Sequence, residues 1–198
     1  MTENTKRIKD SENLAHFAAI PWCARHLKGE HIIAEIPPSR IIKSATQEDG
    51  LFAETLNTPK AIEFMLQVYT EPSLQSQTSG QLVDEIKCFL TLGSGLNGHP
   101  GVCHGGLVTT ILDEVTGLFI PANMKRKLIP RGKIMTAYLN TTFIKPVPTN
   151  STVMARGRLV KVEGRKYLTE GTVEDENGNV LARAEALFVM LKAADEKL

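Results

Sequence analysis

Residues 104–120 read HGGLVTTILDEVTGLFI, and four runs of strand character follow at 134–145, 151–162, 166–174 and 180–191. The near-continuous apolar character of the first stretch predicts a mostly buried helix. The runs after it are joined by Pro146-Val147-Pro148, Glu163-Gly164 and Asn177-Gly178. Asn-Gly between two such runs is the strongest short hairpin signal. Connections this short force antiparallel neighbours, because a parallel pair needs a long crossover. In the last run Val180, Ala182, Ala184, Ala186, Phe188 and Met190 share one face, and the small side chains let a helix approach the sheet closely. The reading is an α+β fold, with one long helix packed on an antiparallel sheet.

Working back from the helix, residues 84–92, DEIKCFLTL, have alternating strand character, and a Gly-rich loop joins them to His104. A basic loop is expected at 121–133. The polar segment 70–81, TEPSLQSQTSGQ, reads as a linker, which divides the chain into an amino-terminal extension of residues 1–80 and a domain of residues 81–198. Within the extension Thr58-Pro59 is a good helix start. Ala61, Ile62, Met65, Leu66 and Tyr69 follow at helical spacing and predict a short amphipathic helix. Another is expected at 11–20, and 31–36, HIIAEI, predicts a short strand ended by Pro37-Pro38. The expected role of the extension is to cover a core.

The 198 residues suit one domain with an extension, and 42% hydrophobic with 23% charged residues is the mixture of a globular protein that needs no disulfides. Lys plus Arg total 23 against 22 Asp plus Glu, so the basic excess of a nucleic-acid binder is missing. Cys23, Cys88 and Cys103 show no framework spacing and point to a reducing compartment. No apolar run approaches the ~18 residues of a membrane span. The first residues carry acidic groups and no apolar h-region, so neither a signal peptide nor a transit peptide is read there. The cytosol is the expected compartment, with mitochondria left open. No internal repeat is visible.

Gly93-Ser94-Gly95-Leu96-Asn97-Gly98 matches the dinucleotide fingerprint G-x-G-x-x-G, but its context is wrong. Pro100-Gly101 break the chain just after Gly98, the helix starts only near His104, and hairpins follow instead of βαβ units. No G-x-S-x-G elbow supports a hydrolase triad. His99, Cys103 and His104, like Cys23 and His26, lack zinc spacing, so no metal is expected.

The chemistry concentrates on the helix. His104-Gly105-Gly106 opens it, where unpaired N–H groups and the positive dipole end are exposed. Glycines let a substrate oxygen approach such donors, which can hold the oxyanion of acyl transfer. The bland alternative for Gly-Gly is an ordinary loop-to-helix turn. Asp113 lies inside the helix among apolar neighbours, and a carboxylate there must be hydrogen-bonded, neutral or functional. A paired structural Asp is the bland alternative. Gly105 and Asp113 are separated by about 12 Å along the axis, so one helix cannot aim both at one small substrate. Two antiparallel copies in a symmetric dimer can, which predicts two composite sites per dimer.

These residues resemble the hotdog-fold acyl-thioester hydrolases of the phenylacetate-pathway branch, and more closely thioesterase superfamily members 4 and 5. The likeness rests on HGG at 104–106 with Asp113 beyond it, Thr136-Ala137-Tyr138-Leu139-Asn140, Phe143-Ile144-Lys145-Pro146-Val147-Pro148, VEGRK at 162–166 and the closing ALFVML, and it spans residues 82–191. It implies a helix wrapped by an antiparallel sheet, paired into a homodimer and often a tetramer. It also implies hydrolysis of an acyl-coenzyme A or acyl-carrier-protein thioester without a cofactor, coenzyme A being part of the substrate. By position, the Gly105 N–H would polarise the thioester carbonyl, Asp113 would act as general base or nucleophile, and Thr136 would hold the water or the Asp. His104 would shape the loop. Asn97, Gly106 and Asn140 are candidate substrate contacts, although the loop carrying Asn97 is one residue longer than the family's.

Two departures stand out. Glu114 adds a second carboxylate beside Asp113, pointing about 100° away from it, and is a further candidate contact. The loop before Thr136 is longer and basic. Lys125, Arg126, Lys127, Arg131 and Lys133 in it, with Arg158, Arg165 and Lys166 as rivals, are candidate contacts to coenzyme A phosphates, against the bland reading of a solvated loop. A hotdog hydratase or dehydratase, or a non-hydrolytic acyl-thioester binder or scaffold, are the alternative functions.

Overall fold

Two glycines seat the helix on the sheet. The computed structural model describes residues 3–73 and 80–192; the middle of the expected linker, 74–79, and the end of the expected domain, 193–198, lie outside the described residues. The elements are α1 (Glu3–Ala18), α2 (Pro21–Ala24), β1 (Ile32–Glu35), β2 (Ile62–Thr70), β3 (Glu85–Leu92), two short strands β4 (Asn97–His99) and β5 (Val102–Cys103), α3 (Gly105–Gly117), α4 (Phe119–Lys125), β6 (Ile134–Phe143), β7 (Ser151–Glu163), β8 (Lys166–Glu174) and β9 (Val180–Met190). The main sheet has seven strands in the order β1-β2-β3-β7-β8-β9-β6, each pair antiparallel.

Helix α3 crosses β7, β8 and β9. Gly157 on β7 is paired with Gly171 on β8. A Cβ on Gly157 would stand 2.4 Å from the Val115 carbonyl oxygen, and one on Gly171 2.5 Å from Thr116 Cγ2, so helix backbone rests almost directly on the strands. The alanine face of β9 continues this seat, with Ala182, Ala184 and Ala186 buried in the core. Thr116, fully buried here, turns its hydroxyl back to donate to the Leu112 carbonyl at 2.7 Å, which removes its polarity from the contact.

The extension departs from the reading at one point. Residues 62–70 form strand β2 instead of the second half of a helix begun at Thr58-Pro59. The segment is buried on both sides: Met65 and Tyr69 face the main core, while Leu66 and Val68 pack with Phe17 of α1, Phe89 and Met154. A run covered on both faces carries no period, and its β-branched and aromatic residues then favour the strand. The extension thus supplies two strands of the main sheet and a helix over its outer face. The α1 helix, the short strand before Pro37 and the strands read after residue 84 are present, but β6 pairs with β9 and not, as the short 146–148 connection implied, with β7. The expected 121–133 loop is helical as far as Lys125. Buried Asn123 anchors that turn by donating to the Val83 carbonyl and accepting from the Val83 N–H, each at 2.9 Å.

The fingerprint-like glycines have a packing role. The Gly93 and Gly95 N–H groups donate to the Ala61 and Lys60 carbonyls at 2.6 Å, and a Cβ at either position would overlap the Lys60 backbone.

Between β1 and β2 the chain makes a strap, residues 36–57, held by one buried cation. Arg40 is 4% exposed and donates to the carbonyls of Phe52 at 3.3 Å, Ile62 at 2.9 Å and Glu63 at 3.1 Å, and also to Asn57. Burial lowers its pKa to about 10. This fixes the strap against β2 and directs residues 38–49 toward α3.

Candidate active site

At the start of α3, His104 is the N-cap. Its extended backbone (φ −60°, ψ 133°) turns the chain into the helix, and its Nδ1 accepts from the Gly106 N–H at 3.0 Å. That bond leaves the ring proton on Nε2. The His104 carbonyl takes the Leu107 and Val108 N–H groups. Among the described residues the Gly105 N–H has no acceptor. Of the two glycines it is therefore Gly105 that has a donor to offer, since Gly106 spends its own on the cap. An apolar groove of about 270 Å³ lies before it, bordered by Cys103, Phe143, Ile144 and Val147. The preceding loop is braced to the helix by the His104 N–H donating to the Leu96 carbonyl at 2.8 Å, and Asn97 accepts from the Thr149 hydroxyl.

Two turns along α3, the Thr136 hydroxyl on β6 donates to Asp113 Oδ1 at 3.0 Å. Both residues border a cavity of about 480 Å³. Its floor is Leu118, Ile120, Met124, Ile134 and Phe188; its far wall is the strap, through Pro38, Ser39, Lys43 and Asp49. Glu114 borders it too. Burial pushes the Glu114 carboxyl up to about 7, the Asp49 and Asp113 charges add to the rise, and the Ser39 hydroxyl opposes it. Two acidic side chains thus stand side by side on one helix, Asp113 held by Thr136 and Glu114 facing the strap.

The structure brings Asp113, Glu114 and Thr136 together and sets Gly105, Gly106, His104 and Asn97 at the other end of the helix. It separates the remaining candidates. A register shift between Thr136 and Tyr138 turns Asn140 opposite exposed Glu185, so Asn140 borders a polar groove on the outer face with Arg183, not the Asp113 cavity. Arg126, read as a candidate phosphate contact, is engaged within the chain. It pairs with Glu71 at 2.6 Å, donates to the Ala122 carbonyl and lies over the Tyr69 ring. Lys125 is exposed, 3.7 Å from Glu35 at the same sheet edge. Arg165 donates to the Met190 carbonyl at 2.7 Å, and Lys166 stands opposite Glu163 in the backbone register at the turn of the β7–β8 hairpin. All three cysteines are free and buried, and burial raises the thiols, Cys103 to about 11, so none is a thiolate nucleophile. Among the described residues no three metal-ligating side chains converge.

Sequence reasoning did not find the strap residues at the cavity. Ser39, Lys43 and Asp49 sit in a loop with no motif, and only the tertiary hold of Arg40 brings them to Asp113.

Residues 100–182 match the family model described as Thioesterase superfamily. The chain is 39% identical over 100 residues to acyl-coenzyme A thioesterase THEM4 of Mus musculus, a match covering 50% of this chain and 40% of that protein. It is 27% identical over 205 residues to Verlamelin biosynthesis protein B of a Lecanicillium species, covering 90% of this chain and 88% of that one. The chain spans less than half the length of the THEM4 relatives it matches. A crystal structure of a putative thioesterase, a phenylacetic acid degradation-related protein from Ralstonia eutropha JMP134, superposes with a TM-score of 0.51 at 19% identity, over 71% of this chain and 89% of that one, which shows a shared fold.

Proposed function

We propose that the chain, whose residues 100–182 match the Thioesterase superfamily model, hydrolyses an acyl-coenzyme A or acyl-carrier-protein thioester at a site shared between two copies. The observation that carries the proposal is the division of the machinery along α3. The donor at Gly105 and the Thr136-bound carboxylate of Asp113 lie about 12 Å apart on one helix. An antiparallel second copy brings Gly105 of one chain opposite Asp113 of the other. Strand β6 ends the sheet, and Tyr138 and Phe143 on it, with Ile144 just beyond, leave apolar surface exposed that such a copy would cover.

The chemistry follows from the parts. The thioester carbonyl oxygen accepts from the Gly105 N–H at the positive end of the helix, which stabilises the developing oxyanion. Thr136 holds Asp113 Oδ1, which leaves Oδ2 to take a proton from a water attacking the carbonyl carbon, or to attack that carbon itself and form an anhydride that water then opens. Either way the C–S bond breaks, the thiol leaves with a proton, and the free acid remains. His104 serves by orienting the turn and the Gly105 donor. The reading calls for no cofactor, coenzyme A entering as part of the substrate. Three free cysteines support a reducing compartment, the cytosol on this reading. Among the described residues no helix is long and apolar enough to cross a membrane.

Thiol release from a panel of short, long and aromatic acyl-coenzyme A esters tests this. Asp113→Asn keeps the shape and removes the base, and a loss of at least ~100-fold is expected. Equal turnover in both proteins contradicts the role given to Asp113. Binding without release in the wild type contradicts hydrolysis and favours the non-hydrolytic binder.

A further inference from the structure

The wall of the Asp113 cavity that the hydrolytic step leaves unused is polar. Glu114 faces Ser39, Lys43 and Asp49 of the strap across a cavity that Leu118, Ile120, Ile134 and Phe188 also line. Lys43 is already paired with Asp49 and lies 4.0 Å from Glu48, so its charge is spoken for. Ser39 is 6% exposed, and its hydroxyl, close enough to stabilise the Glu114 carboxylate, completes no hydrogen bond of ordinary geometry.

This wall discriminates among acyl groups. A plain hydrocarbon chain laid across it strands the Glu114 carboxyl against methylenes, which is unfavourable for a partly desolvated polar group. A chain bearing a carboxylate meets Glu114, Asp49 and Asp113, all of its own sign. An ammonium must shed a tightly held hydration shell to enter the cavity. A hydroxyl has no charge to desolvate and can donate to the carboxylate or accept from the protonated acid.

We propose that the cavity selects acyl groups carrying a hydroxyl near the thioester end, with Glu114 as the recognising residue and Ser39 as the residue that positions it. The inference rests on the thioesterase reading, because it takes the thioester carbonyl to sit at Asp113. Adjacent residues of one helix are 3.8 Å apart at Cα, so the recognised hydroxyl lies within a few carbons of that carbonyl.

Calorimetric titration of the full chain with non-cleavable thioether analogues of acyl-coenzyme A separates the two readings. Octanoyl analogues are compared bare, with a hydroxyl at carbon 3, 4 or 5, and with an amino group or a carboxylate at the same positions. One hydroxylated analogue binds about tenfold more tightly than the bare one. Glu114→Leu abolishes the difference, and Ser39→Ala shrinks it about threefold. No hydroxyl preference in the wild type overturns the proposal, as does a tighter amino or carboxylate analogue, or a preference that survives Glu114→Leu. Should that variant fail to fold, the wild-type ranking and Ser39→Ala decide. Absent thiol release from the true thioesters with the hydroxyl preference intact sinks hydrolysis and leaves the subsite standing.

Discussion

The seat of α3 on the sheet and the hold of the strap on β2 are made by opposite means. At the seat, side chains are withdrawn: Gly157 and Gly171 sit beneath the helix and alanines continue the surface, so backbone meets backbone. At the strap, one long side chain does the joining, with Arg40 donating to three carbonyls from two segments. Close packing tolerates nothing added, while a polar staple tolerates nothing removed. Both converge on the cavity at Asp113, the seat by fixing α3 and the strap by supplying the opposite wall.

Adding to the seat should do the greatest damage. Gly157→Val drives a branched side chain into the Val115 carbonyl, and a loss of about 4 kcal/mol or outright failure to fold is expected in urea unfolding. A near-neutral result would show that the helix does not rest on β7 as described. Removing the staple comes next. Arg40→Met leaves buried carbonyls without a donor and is expected to cost about 3 kcal/mol, with limited proteolysis appearing first in residues 36–57. Uniform loss of protection across the chain would mean that the strap is not held as a local unit.

Glu114, where the two regions meet, gives a smaller and pH-dependent effect. Its carboxyl binds a proton more tightly folded, near pKa 7, than unfolded, near 4.5. The folded state therefore loses stability as pH rises from about 4.5 through 7. Glu114→Gln removes this slope and should be the more stable protein at pH 8, with no advantage at pH 4; parallel curves would contradict the buried placement. The smallest effect belongs to an exposed pair. Lys125→Ala should move the urea midpoint by less than about 0.5 kcal/mol, since its partner Glu35 lies across solvent.

What could be read from the sequence divides along the same line. The β7-β8-β9 meander announced itself through Asn177-Gly178 and the alternation in β9, because half-buried strands carry a period of two, whereas the place of β6 beside β9 had no local signal. HGG and Asp113 drew attention because a glycine pair at a helix start and a carboxylate within an apolar helix are rare enough to mark a position. Strand β2 was not, since burial on both faces erases periodicity and Thr58-Pro59 imitates a helix cap. Gly157 and Gly171 lay in plain view inside predicted strands, but their meaning depends on what crosses over them. The strap had no local signal, because Arg40 reads as an ordinary surface charge until its carbonyl partners assemble. Arg126 reads from its basic run as a ligand contact, while its pairing with Glu71 and its place over Tyr69 become visible only in the fold.

Subunit complementation tests the shared site. Gly105→Pro deletes the proposed oxyanion donor at the first helical position, where proline is tolerated, and the extended His104 suits the residue before it. Asp113→Asn deletes the carboxylate. Each variant alone is expected to be inactive. Co-refolded in equal amounts, half the dimers would be mixed, each with one intact site of two, and about a quarter of wild-type thiol release should return. A mixture as inactive as its parts would place the whole site within one chain and contradict the division along α3.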